Sequence, residues 1–158
     1  RRWYKAWKPA KGDKPKADGA LYGKLMDAVK KGVGDRKYDT ATFVWMQGER
    51  DAKERHGAVY EKSFAGLVKQ LSDDLGRDDV NFVIGRLSDC LNKKPGKSHW
   101  MEVRKAQVAV AEKNPRGAWI DTDDLNGPKD ALHYNKEGYA ELGKRFAEKA
   151  VELVKKAK

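Results

Sequence analysis

The sequence predicts an α/β layered sandwich built on a parallel sheet, and three observations carry that expectation. Apolar residues recur at helical spacing in four stretches, and three short runs rich in β-branched and aromatic residues lie between them. No two of those runs are joined by a tight hairpin turn, so the strands must run parallel, with helices making right-handed crossovers on both faces of the sheet.

Taken in order, residues 1–18 mix Pro9, Gly12 and Pro15 with lysines and have no apolar period, which reads as a basic loop. Residues 19–33 place Leu21, Leu25, Val29 and Val33 at four-residue intervals, a helix with one buried stripe that stops near Gly32 and Gly34. The run "TATFVWMQ" reads as a strand covered on both faces. A helix over 57–75 follows, carrying Tyr60, Phe64, Leu67, Val68 and Leu71, then the strand "NFVIGRL" and a helix over about 98–113. The last strand, "GAWIDT", leads through a loop to a long helix that Asn135 is expected to cap, with Tyr139, Leu142, Phe146, Ala150 and Leu153 inward. The first strand is the most apolar and is therefore expected at the centre of the sheet. A central strand needs a neighbour on each side, so the sheet is expected to lack strands that would come earlier in the sequence.

At 158 residues the chain suits one domain, residues 1–158, with a single core. No apolar stretch approaches the length of a membrane span, so no membrane partner is expected. Cys90 is the only cysteine, which excludes an intrachain disulfide and a cysteine-pair metal site. The net charge of +10 is uneven, since the first sixteen residues hold seven Lys/Arg against one Asp. Trp3, Tyr4 and Trp7 among those cations have the composition of a nucleic-acid arm. A solvated connection explains the same residues, no groove-reading element follows, and a nucleic-acid partner is not expected.

In an open parallel sheet, sites gather beyond the carboxyl ends of the strands, and three polar clusters fall there: "QGERD", "SDC" and "DTDDLNGPKDALH". Asp130 precedes His133 by three residues. A carboxylate so placed can accept from one ring nitrogen while the other nitrogen removes a hydroxyl proton, and a turn aspartate beside a surface histidine is the competing reading. Gln47, Gly48 and Glu49 end the first strand, where an amide side chain can donate to an oxyanion and a glycine lets backbone approach a ligand. "DTDDLNG" fails as a calcium loop, because Asn126 stands where glycine is required and no closing glutamate follows. His56, His99 and His133 lie on separate elements, and no HExxH, CxxC or phosphate-binding GxxxxGK[ST] occurs, so neither a metal nor another cofactor is expected.

Together "TFVWMQGERDA", "HWMEVRKAQ", "GAWIDTDDL" and "LHYNKEGYAELGKRFAE" resemble the sialate O-acetylesterase-like branch of the SGNH hydrolases, including carbohydrate esterase family six, over about residues 40–150. The resemblance implies a flavodoxin-like three-layer fold and a Ser-His-Asp triad. It places Asp130 and His133 on the Asp-x-x-His motif and Gln47, Gly48 and Glu49 on the QGE block, with Gln47 as oxyanion donor and Glu49 bracing the loop. Trp100, Arg104 and Gln107 fall on a Trp-x-x-x-Arg-x-x-Gln helix to which the resemblance assigns a structural role. The sequence departs from the pattern in having no GQSN serine block and no glycine block after it. Of its four serines, Ser63 and Ser72 fall within a helix, Ser98 starts one, and Ser88 alone ends a strand.

The expected function is therefore removal of acetyl groups from sugars or polysaccharides, acetylxylan included, with the nucleophilic serine supplied from outside these residues or, less suitably, by Ser88. The expected partners are an acetylated carbohydrate and an N-terminal segment or second chain that completes the sheet. A secreted or periplasmic setting follows from the resemblance alone. The alternative is a noncatalytic carbohydrate-binding or assembly domain on the same scaffold.

Overall fold

The computed structural model describes residues 20–89, 98–127 and 132–156. Along the chain these form α1 (Ala20–Val33), β1 (Thr42–Trp45), α2 (Glu49–Lys53), α3 (Gly57–Leu75), β2 (Asn81–Gly85), α4 (Trp100–Glu112), β3 (Gly117–Ile120) and α5 (Lys136–Lys156). The basic loop at residues 1–18 lies outside the described residues.

The three strands form a parallel sheet in the order β1-β2-β3, with Val44 level with Val83 and Ile84 level with Trp119. Alternation along β2 sends Phe82 and Ile84 to one face and Val83 to the other. The first face packs on α1, α3 and α4 through Tyr22, Phe64, Leu67 and Val103, with Phe64 edge-on to Phe82 at 5.3 Å. The second face packs on α5 through Leu142, Phe146 and Leu153. Helices on both faces of a parallel sheet make the three-layer α/β/α arrangement that the alternation of elements predicts.

Among the described residues β1 has a strand neighbour on one side only, the open edge expected of a sheet that lacks its earlier strands, while β2, buried at all five positions, lies between β1 and β3. The open side leaves Val44 48% exposed. Two expectations about the helices are corrected. The buried stripe of α1 is carried by Tyr22 and Met26, with Leu21 57% exposed. A helical period defines a stripe but not the rotation of the helix, and here Tyr22 is drawn inward by a hydrogen bond from its hydroxyl to Asp74 Oδ2 at 2.5 Å. Tyr139, expected inward, is 57% exposed, its ring set edge-on to Tyr134 at 5.5 Å.

Candidate active site

Short structure at the carboxyl ends of β1 and β2 brings the polar clusters together. Beyond Trp45 the chain enters α2, and Gly48 makes the corner with φ +154. A β-carbon there would meet Val103 Cγ1 at 2.9 Å and Gln107 Nε2 at 3.1 Å, so the position accommodates backbone alone. The Gly48 N–H donates to Glu49 Oε2 at 2.9 Å, which holds the Glu49 carboxylate at the start of α2.

A cavity of about 450 Å³ opens at this rim, within the range of small-molecule sites. Glu49, Ser88, His133, Tyr134 and Tyr139 supply its polar groups, and Met46, Leu87, Trp100, Leu132 and Leu142 its apolar wall. The structure thus brings Glu49 from the first loop, Ser88 from the second and His133 from the third around one space. Gln47 is placed differently: its side-chain Nε2 donates to the buried Asp51 at 3.1 Å, and Gln47 is not among the residues of the cavity wall. Gly48 lies buried behind Glu49. Asp130 lies outside the described residues. Ser63 and Ser72 are on α3 and Ser98 just precedes α4, none of them at the cavity.

The His133 segment is fixed from its carboxyl side. Tyr134 forms an antiparallel bridge with Asn126, and its hydroxyl donates to Thr122 Oγ1 at 2.9 Å, which in turn donates to the Arg86 carbonyl at 2.6 Å. Asn135 caps α5 as expected, its Oδ1 accepting from the Gly138 N–H at 2.7 Å. Gly138 is needed there because a β-carbon would run into the Leu125 carbonyl, so the helix start can press directly on the loop after β3. Burial of Thr122 and Leu125 completes that seat.

The residues that hold the rim are on α4. Trp100, Arg104 and Gln107, at i, i+4 and i+7, share one helix face and are all buried. Trp100 Nε1 donates to the Ser88 carbonyl at 2.7 Å, and Arg104 Nη1 donates to the Leu87 carbonyl. Gln107 Oε1 accepts from the Leu87 N–H at 2.9 Å, while its Nε2 donates to the Gln47 carbonyl at 3.0 Å and to the Tyr60 hydroxyl at 3.2 Å. The family resemblance singles out these three residues with a structural role; their distant backbone partners are not readable from it.

Charge is concentrated beside the cavity rather than in it. Arg104 pairs with Asp123 at 2.6 Å, and Arg86 pairs with Asp121 and Asp123 at 2.6 and 2.9 Å. The hydrogen bond from Arg104 holds the Asp123 carboxyl below its usual range, and the charge of Arg104 adds to this against desolvation. Burial pushes the Tyr60 hydroxyl well above the usual phenol value, so it remains a donor, to the Gln47 carbonyl at 2.7 Å. Among the described residues no group of three His, Cys, Asp or Glu side chains could hold a metal ion, and no helix is long and apolar enough to cross a membrane.

A parallel sheet between helical layers, with a polar cavity past its carboxyl edge, is the layout of a flavodoxin-like, SGNH-type α/β fold. The chain belongs to the family described as carbohydrate esterase, sialic acid-specific acetylesterase, whose model matches residues 3–152. That membership makes it, at the coarse level, a protein of a carbohydrate esterase family. Among solved structures it is similar to an Arabidopsis thaliana protein, at 22% identity with a TM-score of 0.71. The match covers 84% of this chain and 52% of that one, so the chain spans about half the length of the plant protein. No curated protein matches the chain.

Proposed function

We propose that the cavity is the acid-base half of a serine esterase site that removes O-acetyl groups from carbohydrates, of the carbohydrate esterase family six type. The observation that carries this reading is the meeting of Glu49, Ser88 and His133 around one cavity in a chain of a carbohydrate esterase family. His133 is the general base, and Asp130 orients its ring. A serine hydroxyl loses its proton to the imidazole as its oxygen attacks the acetyl carbonyl carbon. Collapse of the tetrahedral species passes that proton to the departing sugar oxygen, and water, deprotonated by the same imidazole, then releases acetate from the acyl-enzyme.

No GQSN block occurs in the sequence, and of its serines Ser88 stands at the cavity as the substitute nucleophile. Gln47 carries two amide protons and Asp51 takes one, leaving one for an oxyanion. Glu49, held by the Gly48 N–H, braces the corner. The test is hydrolysis of p-nitrophenyl acetate by the protein expressed from its complete reading frame. His133→Ala should lower turnover roughly a hundredfold to ten-thousandfold with unchanged circular dichroism; retention of full activity ends the assignment.

The missing serine block also supports a second reading, a noncatalytic carbohydrate-binding or assembly domain. Saturable binding of an acetylated glycoside, with no acetate released by the complete protein, would establish it over the first.

A further inference from the structure

Two sides of the cavity come from the ends of neighbouring strands, where the β ladder between β1 and β2 stops. Trp45 and Gly85 are the last strand residues, and Gln47 and Leu87 follow each by two positions. One amide side chain joins these two points. Gln107 is 0% exposed, and its oxygen and nitrogen are turned in opposite senses: Oε1 accepts the Leu87 N–H, and Nε2 donates to the Gln47 carbonyl 60 positions away. Because a primary amide is at once acceptor and donor, it substitutes for the missing rung of the ladder between the two chain ends. Arg104 and Trp100 then take the next two carbonyls, those of Leu87 and Ser88. Four backbone groups at the rim are thus held from a single helix face.

We infer that Gln107 is a positioning residue that sets the spacing between the Glu49 and Ser88 sides of the cavity. It acts through the Gln47 and Leu87 backbone without touching substrate. This rests on the reading of the cavity as a carbohydrate ester site. An apolar side chain of similar size fills the same space but cannot bridge a donor and an acceptor, so its effect should be local to the rim.

The test compares the protein with Gln107→Met, and with Gln107→Leu should the first variant fold poorly. Amide hydrogen exchange is followed residue by residue, together with binding of an O-acetylated methyl sialoside read from chemical-shift changes. The Leu87 amide, whose N–H donates to Gln107 Oε1, should lose about tenfold or more in protection while Phe82 and Ile84 inside β2 keep theirs. Affinity for the glycoside should fall about fivefold or more. Equal loss at all three amides, or unchanged protection at Leu87, overturns the positioning role. So does unaltered affinity in a variant whose rim has loosened. If the unsubstituted protein takes none of the glycoside while the exchange pattern is as expected, the carbohydrate reading fails and the bridge between the strand ends stands.

Discussion

Arg104 and Asp123 face each other in a two-pronged ion pair, Nη1 to Oδ1 at 2.6 Å and Nη2 to Oδ2 at 2.9 Å, joining α4 to the loop that follows β3. Arg104 keeps 8% of its side chain exposed and Asp123 33%, so the arginine is the partner that suffers when the pair is broken. Asp123→Asn should cost roughly 1–3 kcal/mol, less than a fully buried pair because water screens the carboxylate. A urea unfolding midpoint equal to that of the parent would contradict this.

The same pair sets a pH dependence. The folded carboxyl of Asp123 lies below its ordinary value near 3.8, so the stability it contributes is fully present above that value and is lost as pH falls through the lower folded one. Thermal melts between pH 6 and 2 should therefore show a steeper acid decline for the parent than for Asp123→Asn. Parallel curves would remove the pair as a source of acid sensitivity.

Gly48→Ala combines a positive φ with a methyl group placed 2.9 Å from Val103 Cγ1. The loss should be about 1–3 kcal/mol, read as a melting temperature lower by a few degrees. The Gly48 corner also carries Glu49, so binding at the cavity should weaken with it.

Tyr60→Phe removes the oxygen that accepts from Trp45 Nε1 at 3.0 Å and from Gln107 Nε2 at 3.2 Å, and the hydroxyl that donates to the Gln47 carbonyl at 2.7 Å. The expected cost is about 1–3 kcal/mol, the loss of buried hydrogen bonds. Substituting Trp45 by Phe in the Tyr60→Phe background should recover part of it, and a strictly additive double variant would argue against this account.

Val44→Thr tests the edge position of β1. With half of Val44 exposed the change should stay within about 0.5 kcal/mol, whereas Val83→Thr, at the same level of the buried central strand, should cost more than about 1 kcal/mol. Equal costs would mean that β1 is covered as the middle of a sheet is.

The order of helices and strands and the three polar loops at one end of the sheet were legible in the chain alone. Asn135 could be read as a cap, and Tyr60, Phe64, Leu67 and Leu71 as one helix face, because capping and amphipathic spacing act over a few residues. His133 and Glu49 could be singled out as residues at strand ends for the same reason. What the chain did not reveal was rotation and partnership. Tyr22 rather than Leu21 turns inward on α1, and Tyr139 stands at the cavity mouth, because each depends on which element packs opposite. The Gln47 side chain turns to Asp51, and Gln107 reaches the Gln47 carbonyl across 60 positions. A buried polar group is satisfied by whichever donor or acceptor the assembled layers bring within 3 Å, and sequence spacing carries no information about that partner.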